Sequence, residues 1–115
     1  MKREASLQTA CVQWFNMQYP QYRGLLIHVP NGGSRNRIEA RNMKLQGVTA
    51  GVADLLLLIP RHNYGCLCIE MKVERGRQSE AQERWQKQTE KFNMYIICRT
   101  IEQFIDTINF YLCEK

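Results

Sequence analysis

The stretch Asp54-Leu55-Leu56-Leu57-Leu58-Ile59-Pro60-Arg61-His62-Asn63-Tyr64-Gly65-Cys66-Leu67-Cys68-Ile69-Glu70-Met71-Lys72-Val73 decides the fold. Its opening residues, Asp54 to Ile59, read as an apolar strand. Pro60, Asn63 and Gly65 mark residues 60 to 65 as a hairpin connection. From Cys66 to Val73 the side chains alternate across a second strand. Leu67, Ile69, Met71 and Val73 point one way, and Cys66, Cys68, Glu70 and Lys72 point the other. Paired as a hairpin, the two strands place Asp54 at the open end, near Glu70 and Lys72.

Working outward, residues 4 to 18 have helical spacing, with Leu7, Cys11, Trp14 and Phe15 on one face and Glu4 and Gln8 at its edge. Leu25 to Val29 reads as a short strand stopped by Pro30 and the turn Asn31-Gly32-Gly33. The spacing predicts a helix over residues 35 to 46, with Ile38 and Leu45 turned inward and Gly47 as its C-terminal stop. After the loop 74 to 78, a third helix starts near Ser79, with Ala81, Trp85 and Phe92 on its inner side. Met94 to Cys98 is a further strand. Thr100 caps a final helix, with Gln103 in capping-box position and an apolar stripe of Ile101, Phe104, Ile105, Ile108 and Leu112. The expected order is α-β-α-β-β-α-β-α, a mixed α/β domain with a central sheet.

The 115 residues suit one domain spanning 1–115, since no repeat, linker or low-complexity run divides them. No apolar stretch is long enough to span a bilayer, and Met1-Lys2-Arg3-Glu4 leads into a polar segment and not a signal core. Five cysteines cannot all pair internally, so free thiols in a reducing cytoplasm are expected. A formal charge of +5 favours a polyanionic partner, nucleic acid above all.

Residues i and i+2 share a face in a strand, so Glu70 and Lys72 project together. Two acids and a lysine on one face suit Mg²⁺, a hard cation that takes oxygen ligands and keeps several waters. Held against a phosphodiester, it polarises the phosphoryl oxygen and helps generate hydroxide. The lysine positions that water or stabilises charge on the phosphate. An E-x-K pair alone is better explained by an exposed ion pair on a strand.

The surrounding pattern is more specific. An acid, a strand-turn-strand, E-x-K and a glutamine-bearing helix resemble the layout of the PD-(D/E)xK nuclease superfamily, with Ala53 where the proline would stand. Gly47-Val48-Thr49-Ala50-Gly51-Val52-Ala53-Asp54-Leu55-Leu56-Leu57 resembles the G-x-x-x-G-x-x-D-L-L-L signature of VRR-NUC domains. Ile69-Glu70-Met71-Lys72, followed by Gly76, Ser79, Gln82 and Trp85, is similar to that family's I-E-x-K…G…S-x-x-Q-x-x-W segment. Val29-Pro30-Asn31-Gly32-Gly33-Ser34-Arg35 resembles its V-P-N-G-G-x-R turn, and Glu4-x-x-x-Gln8 its acidic N-terminal helix motif.

The resemblance implies a restriction-endonuclease-like core and a metal-dependent DNA endonuclease using Mg²⁺, for which Mn²⁺ substitutes. It makes Asp54 and Glu70 metal ligands and Lys72 the catalytic lysine. Glu4 reaches the metal or its water, and Gln82 is a polar residue of the site. Two rival readings stand beside it: Glu4 simply favours a helix N-terminus, and Ser79-x-x-Gln82 is a capping box in its own right. Stand-alone members of the family, typical of phages and their bacterial hosts, look like homodimeric Holliday-junction resolvases that act on four-way DNA junctions. The aromatic end of the last helix, Phe110-Tyr111-Leu112, is a candidate interface or else core. A monomeric flap or nicking nuclease and a non-catalytic module that grips structured DNA are the alternatives.

Phosphate contacts are expected from Arg35, Arg37, Arg41 and Lys44 on the second helix and from Arg75 and Arg77 beyond the E-x-K strand. Asn31 belongs to a tight turn that the family likeness brings towards the site. Cys66 and Cys68 lack a second C-x-C or a His pair to complete a zinc site, His28 and His62 have no ligand-like spacing, and small buried hydrophobes are the simpler role. Trp14 and Trp85 fall at core helical spacing and read as packing residues, not as base-stacking platforms.

Overall fold

Antiparallel strands can be joined by a tight turn, whereas parallel neighbours need a crossover segment, and this chain uses both connections around one strand. The computed structural model describes residues 2–30 and 36–113. Along them run α1 (Lys2–Gln18), β1 (Leu26–His28), α2 (Arg37–Leu45), β2 (Leu55–Leu57), β3 (Leu67–Met71), α3 (Glu80–Thr89), β4 (Met94–Cys98) and α4 (Ile101–Leu112). The order is the one expected, with one addition, a 3-10 turn at Pro20–Tyr22. Four strands form one mixed sheet in the order β1-β2-β3-β4. β2 pairs antiparallel with both β1 and β3, and β3 pairs parallel with β4 through the α3 crossover. The result is the mixed α/β architecture of the restriction-endonuclease-like class.

The hairpin turn has a local cause. His62 and Asn63 both adopt positive φ, at 55° and 68°, in the manner of a type I′ turn. The His62 ring stacks on Phe110 at 5.0 Å, and its Nε2 lies 3.0 Å from the Tyr111 carbonyl, so the turn is tied to the end of α4.

One face of the sheet lies under α1 and α4. Cys11 and Phe15 from α1 and Phe104, Ile108, Tyr111 and Leu112 from α4 meet Leu55, Leu57, Leu67, Ile69, Met71 and Cys98. Each large apolar side chain buried here contributes about 1.5–3 kcal/mol. Tyr111 belongs to this core because its hydroxyl donates to the Ile59 carbonyl at 2.7 Å. The opposite face lies under α3 and is more polar. Among the described residues, no helix is long and apolar enough to cross a membrane.

Several expectations are corrected. α2 starts at Arg37 behind an Asn36 cap, and Ile38 and Leu45 are not inward but 73% and 77% exposed, because α2 buries no residue against the rest of the fold. Phe92 is not on the inner side of α3; it lies past the end of that helix and is exposed. Of the three residues ending α4, Tyr111 and Leu112 are core and only Phe110 is exposed. Gln103 accepts from the Arg99 N–H and not from the Thr100 N–H, so the last helix has half a capping box. Asn31 and Arg35 lie outside the described residues.

Candidate active site

The register of the hairpin brings the acids together. Leu55 pairs with Ile69, so one step outward Asp54 stands opposite Glu70. Asp54 is fixed by the neighbouring strand: its Oδ2 accepts the Met71 N–H at 2.7 Å. Glu70 lies on the α3 face of β3 and is 1% exposed. Its Oε2 accepts from the Gln82 side-chain amide at 2.7 Å and lies 3.5 Å from Lys72 Nζ. Its other oxygen, Oε1, is buried and has no hydrogen-bond partner. A buried carboxylate oxygen left without a partner is costly while it carries charge.

Gln82 serves two functions through one amide. Its Oε1 accepts from the Ser79 N–H at 2.8 Å, Ser79 Oγ accepts from the Gln82 N–H at 3.2 Å, and its Nε2 donates to Glu70. The capping box and the site residue are therefore the same group, and capping fixes the amide so that its N–H₂ end faces the acid. Gly51 holds this helix end in place. It has φ of +86°, and a Cβ there would meet the Ala81 carbonyl oxygen at 2.2 Å. Only glycine lets the loop before Asp54 lie directly on the first turn of α3.

The electrostatics are those of acids crowded in a dry place. Burial, and after it the Asp54 charge, push Glu70 up to about 7, against the opposing pull of Lys72. Asp54 is also raised, by burial first and then by Glu4, while the Met71 N–H and Lys72 work the other way. Glu4, half-buried on α1, thus acts on both carboxyls through its charge. Among the described residues, no three acids, histidines or cysteines come close enough to enclose a metal ion. The structure accordingly joins Glu70, Lys72 and Gln82 by direct contact, sets Asp54 opposite Glu70 across the strand pair, and brings Glu4 to the acids through its charge.

The predicted phosphate contacts are spread apart. Arg37, Arg41 and Lys44 are exposed on α2, and Arg75 and Arg77 are exposed on the loop after β3. That loop is held by Arg99, whose guanidinium donates to the carbonyls of Glu74 and Gly76. Trp85 is half-buried, tilted against Tyr95 at 6.1 Å. It is not sealed in the core.

Two neighbours of the site escape sequence reading. His28 Nδ1 lies 2.9 Å from the Asp54 carbonyl and 3.0 Å from Gln8 Nε2, which ties α1 and β1 to the acid's backbone. Gln8 therefore meets a histidine and not the acids. Tyr95 lies on β4 beside β3, and burial, followed by the Glu70 charge, raises its hydroxyl. Both links join residues far apart in the chain, and no local spacing signals either.

The profile of the VRR-NUC domain family matches residues 2–99. Among solved structures, a VRR_NUC domain protein superposes with a TM-score of 0.78 at 26% identity, over 95% of this chain and 87% of that one. No curated protein matches the chain. A profile match over most of its length, on a fold shared with a solved VRR_NUC domain protein, shows that this chain belongs to the VRR-NUC family of nuclease domains.

Proposed function

We propose that this chain is a Mg²⁺-dependent DNA endonuclease, able to use Mn²⁺, that cuts phosphodiester bonds in branched DNA as a homodimer in the cytoplasm of a bacterial host. The observation that carries the reading is the Asp54–Glu70 pair with its bare Glu70 Oε1. Two carboxyls raised chiefly by burial, Glu70 also by the Asp54 charge and with one unpartnered oxygen, fit a divalent cation: oxygen donors for a hard ion, and negative charge that the ion relieves. Asp54 and Glu70 would hold it, with Glu4 reaching it through water. Once bound, such an ion polarises the scissile phosphate and lowers the pKa of a water.

The chain's own groups do the rest. The Met71 N–H and the Gln82 amide fix the two carboxylates before substrate arrives, which removes the cost of ordering them later. Lys72 lies on the same face as Glu70 and offers its ammonium to the phosphate oxygens or the attacking water. The small domain offers one strand-sized site, and two sites related by a two-fold axis suit symmetric cuts across a four-way junction.

The test is cleavage of four-way, flapped, nicked and linear DNA in Mg²⁺, in Mn²⁺ and in EDTA, with the cuts mapped and the oligomeric state measured by sedimentation. The reading expects metal-dependent cuts placed symmetrically across the junction by a dimer, and no cutting by Asp54→Asn or Lys72→Ala. Full activity in EDTA overturns the metal requirement, full activity in either variant overturns the place of that residue in the site, and no cutting of any DNA in either metal overturns the nuclease assignment. Monomeric enzyme cutting flaps alone overturns only the junction and dimer part.

A further inference from the structure

α3 presents two faces to two different surroundings. Gln82 turns inward to Glu70, while Ala81, Arg84, Trp85 and Gln88 recur at the spacing of a second face, on which Ala81 and Trp85 are half-buried and Arg84 and Gln88 exposed. That face, the end of α2 and the loop after it form the walls of a cleft of about 450 Å³, lined by the polar and aromatic Lys44, Thr49, Arg84, Trp85 and Gln88 together with the apolar Val48, Ala50 and Ala81. Gly51, seated on the Ala81 carbonyl, fastens the loop wall to the helix wall, so the cleft and the acids share one rigid joint. Among the described residues, neither Lys44 nor Arg84 has an ion-pair partner.

The lining is chemically mixed in a particular way. Lys44 comes from α2 and Arg84 from α3, the Trp85 indole lines the same cleft, and a carboxamide and a hydroxyl supply further hydrogen bonds. No carboxylate lines it. An apolar ligand would have no use for the cations, and a bare phosphate would have none for the ring. A nucleotide uses both: the phosphate between Lys44 and Arg84, the base on Trp85.

We propose that this cleft is a second DNA-contact site that holds one unpaired nucleotide of the substrate strand, outside the catalytic acids and joined to them through α3. A paired base has both faces stacked within the duplex, so only an unpaired one can lie on Trp85. The cleft thereby gives the enzyme a reason to prefer DNA with an unpaired or splayed strand. The inference rests on the nuclease reading.

The experiment uses the whole chain with Trp14 replaced by Phe, which leaves Trp85 as the one indole. Binding of single-stranded oligothymidylate and of a blunt duplex is followed in EDTA, by Trp85 emission and by gel shift across a salt series. The single strand is expected to quench Trp85, and the duplex is not. Lys44→Ala with Arg84→Ala should lower the slope of log affinity against log salt by about 0.7 for each lost phosphate contact. Trp85→Ala should weaken single-strand binding by on the order of tenfold. Because that variant removes packing against Tyr95, the exposed Lys44 and Arg84 carry the decision if it misfolds. Unchanged emission at saturating single strand, quenching by duplex alone, or an unchanged salt slope in the double variant overturns this inference while leaving metal-dependent cleavage standing. Failure of the parent chain to bind any DNA overturns the nuclease reading, and this inference with it.

Discussion

Ile69 and Glu70 are neighbours on β3 and equally buried, at 0% and 1% exposure, yet burial acts on them in opposite directions. Ile69 faces α1 and α4, where removal from water is the source of stability. Glu70 faces α3, where the same removal raises its pKa and leaves one oxygen bare. The polar face is tolerable because the apolar face is well filled: a close-packed layer of Leu55, Leu57, Leu67, Ile69 and Met71 holds the strand whatever its other side carries. A strand buried on both faces thus divides the two tasks, with fold on one side and chemistry on the other.

The sharpest way to break that division is to change each neighbour in turn. Glu70→Gln keeps the size and the burial, and it is expected to reduce cleavage by on the order of a thousandfold or more with circular dichroism unchanged. Ile69→Ala should cost about 2–5 kcal/mol in urea unfolding while each folded molecule retains its turnover. If Ile69→Ala abolishes turnover per folded molecule, or if Glu70→Gln unfolds the chain, the two faces are not separate.

The same division explains what the sequence made legible. β2 could be read as an apolar run closed by a turn and β3 by its alternation, and pairing them as a hairpin brought Asp54 near Glu70, as the register has it. Asp54, Glu70 and Lys72 were legible because strand period and motif agree. α2 was misread because its amphipathic pattern implies a partner, and pattern cannot reveal that Ile38 and Leu45 have none within the described residues. His28 and Tyr95 were missed because both join the site across strands, through pairings that no local spacing encodes. Gln82 was left between cap and site because sequence sees the S-x-x-Q spacing but not the second end of the amide.

Gln82 offers a smaller break in the comparison, since it belongs to the polar face and to helix stability at once. Gln82→Ala removes the donor to Glu70 Oε2 and half of the capping box. Loss of a partner that orients a ligand typically costs about 10–100-fold in activity, and loss of a cap about 1 kcal/mol. Gln82→Glu keeps the box but sets a carboxylate against Glu70, so it should restore the thermal midpoint without restoring cleavage. Kinetics and thermal melts of both variants separate the two roles; recovery of cleavage in Gln82→Glu would show that capping alone is what the site needs.

The smallest expected effect is on stability against pH, and it tests whether the charge on the polar face opposes folding. Glu70 is raised to about 7 from an ordinary 4.5, by burial first and then by Asp54. Unfolded, its carboxyl loses its proton near the ordinary value, so between these two pKa values the folded chain binds more protons than the unfolded one. Stability from this group is complete below the lower value and is lost as pH rises through the upper one. The raised Asp54 acts with the same sign. The metal-free midpoint in scanning calorimetry should therefore fall as pH rises from about 5 to about 8, and Glu70→Gln should flatten the fall. Added Mg²⁺ favours the ionised acids, so it should raise the midpoint more at the higher pH, by a few degrees. A fall just as steep in Glu70→Gln would place the titrating group elsewhere, and the bare oxygen on the polar face would then carry no charge that opposes the core.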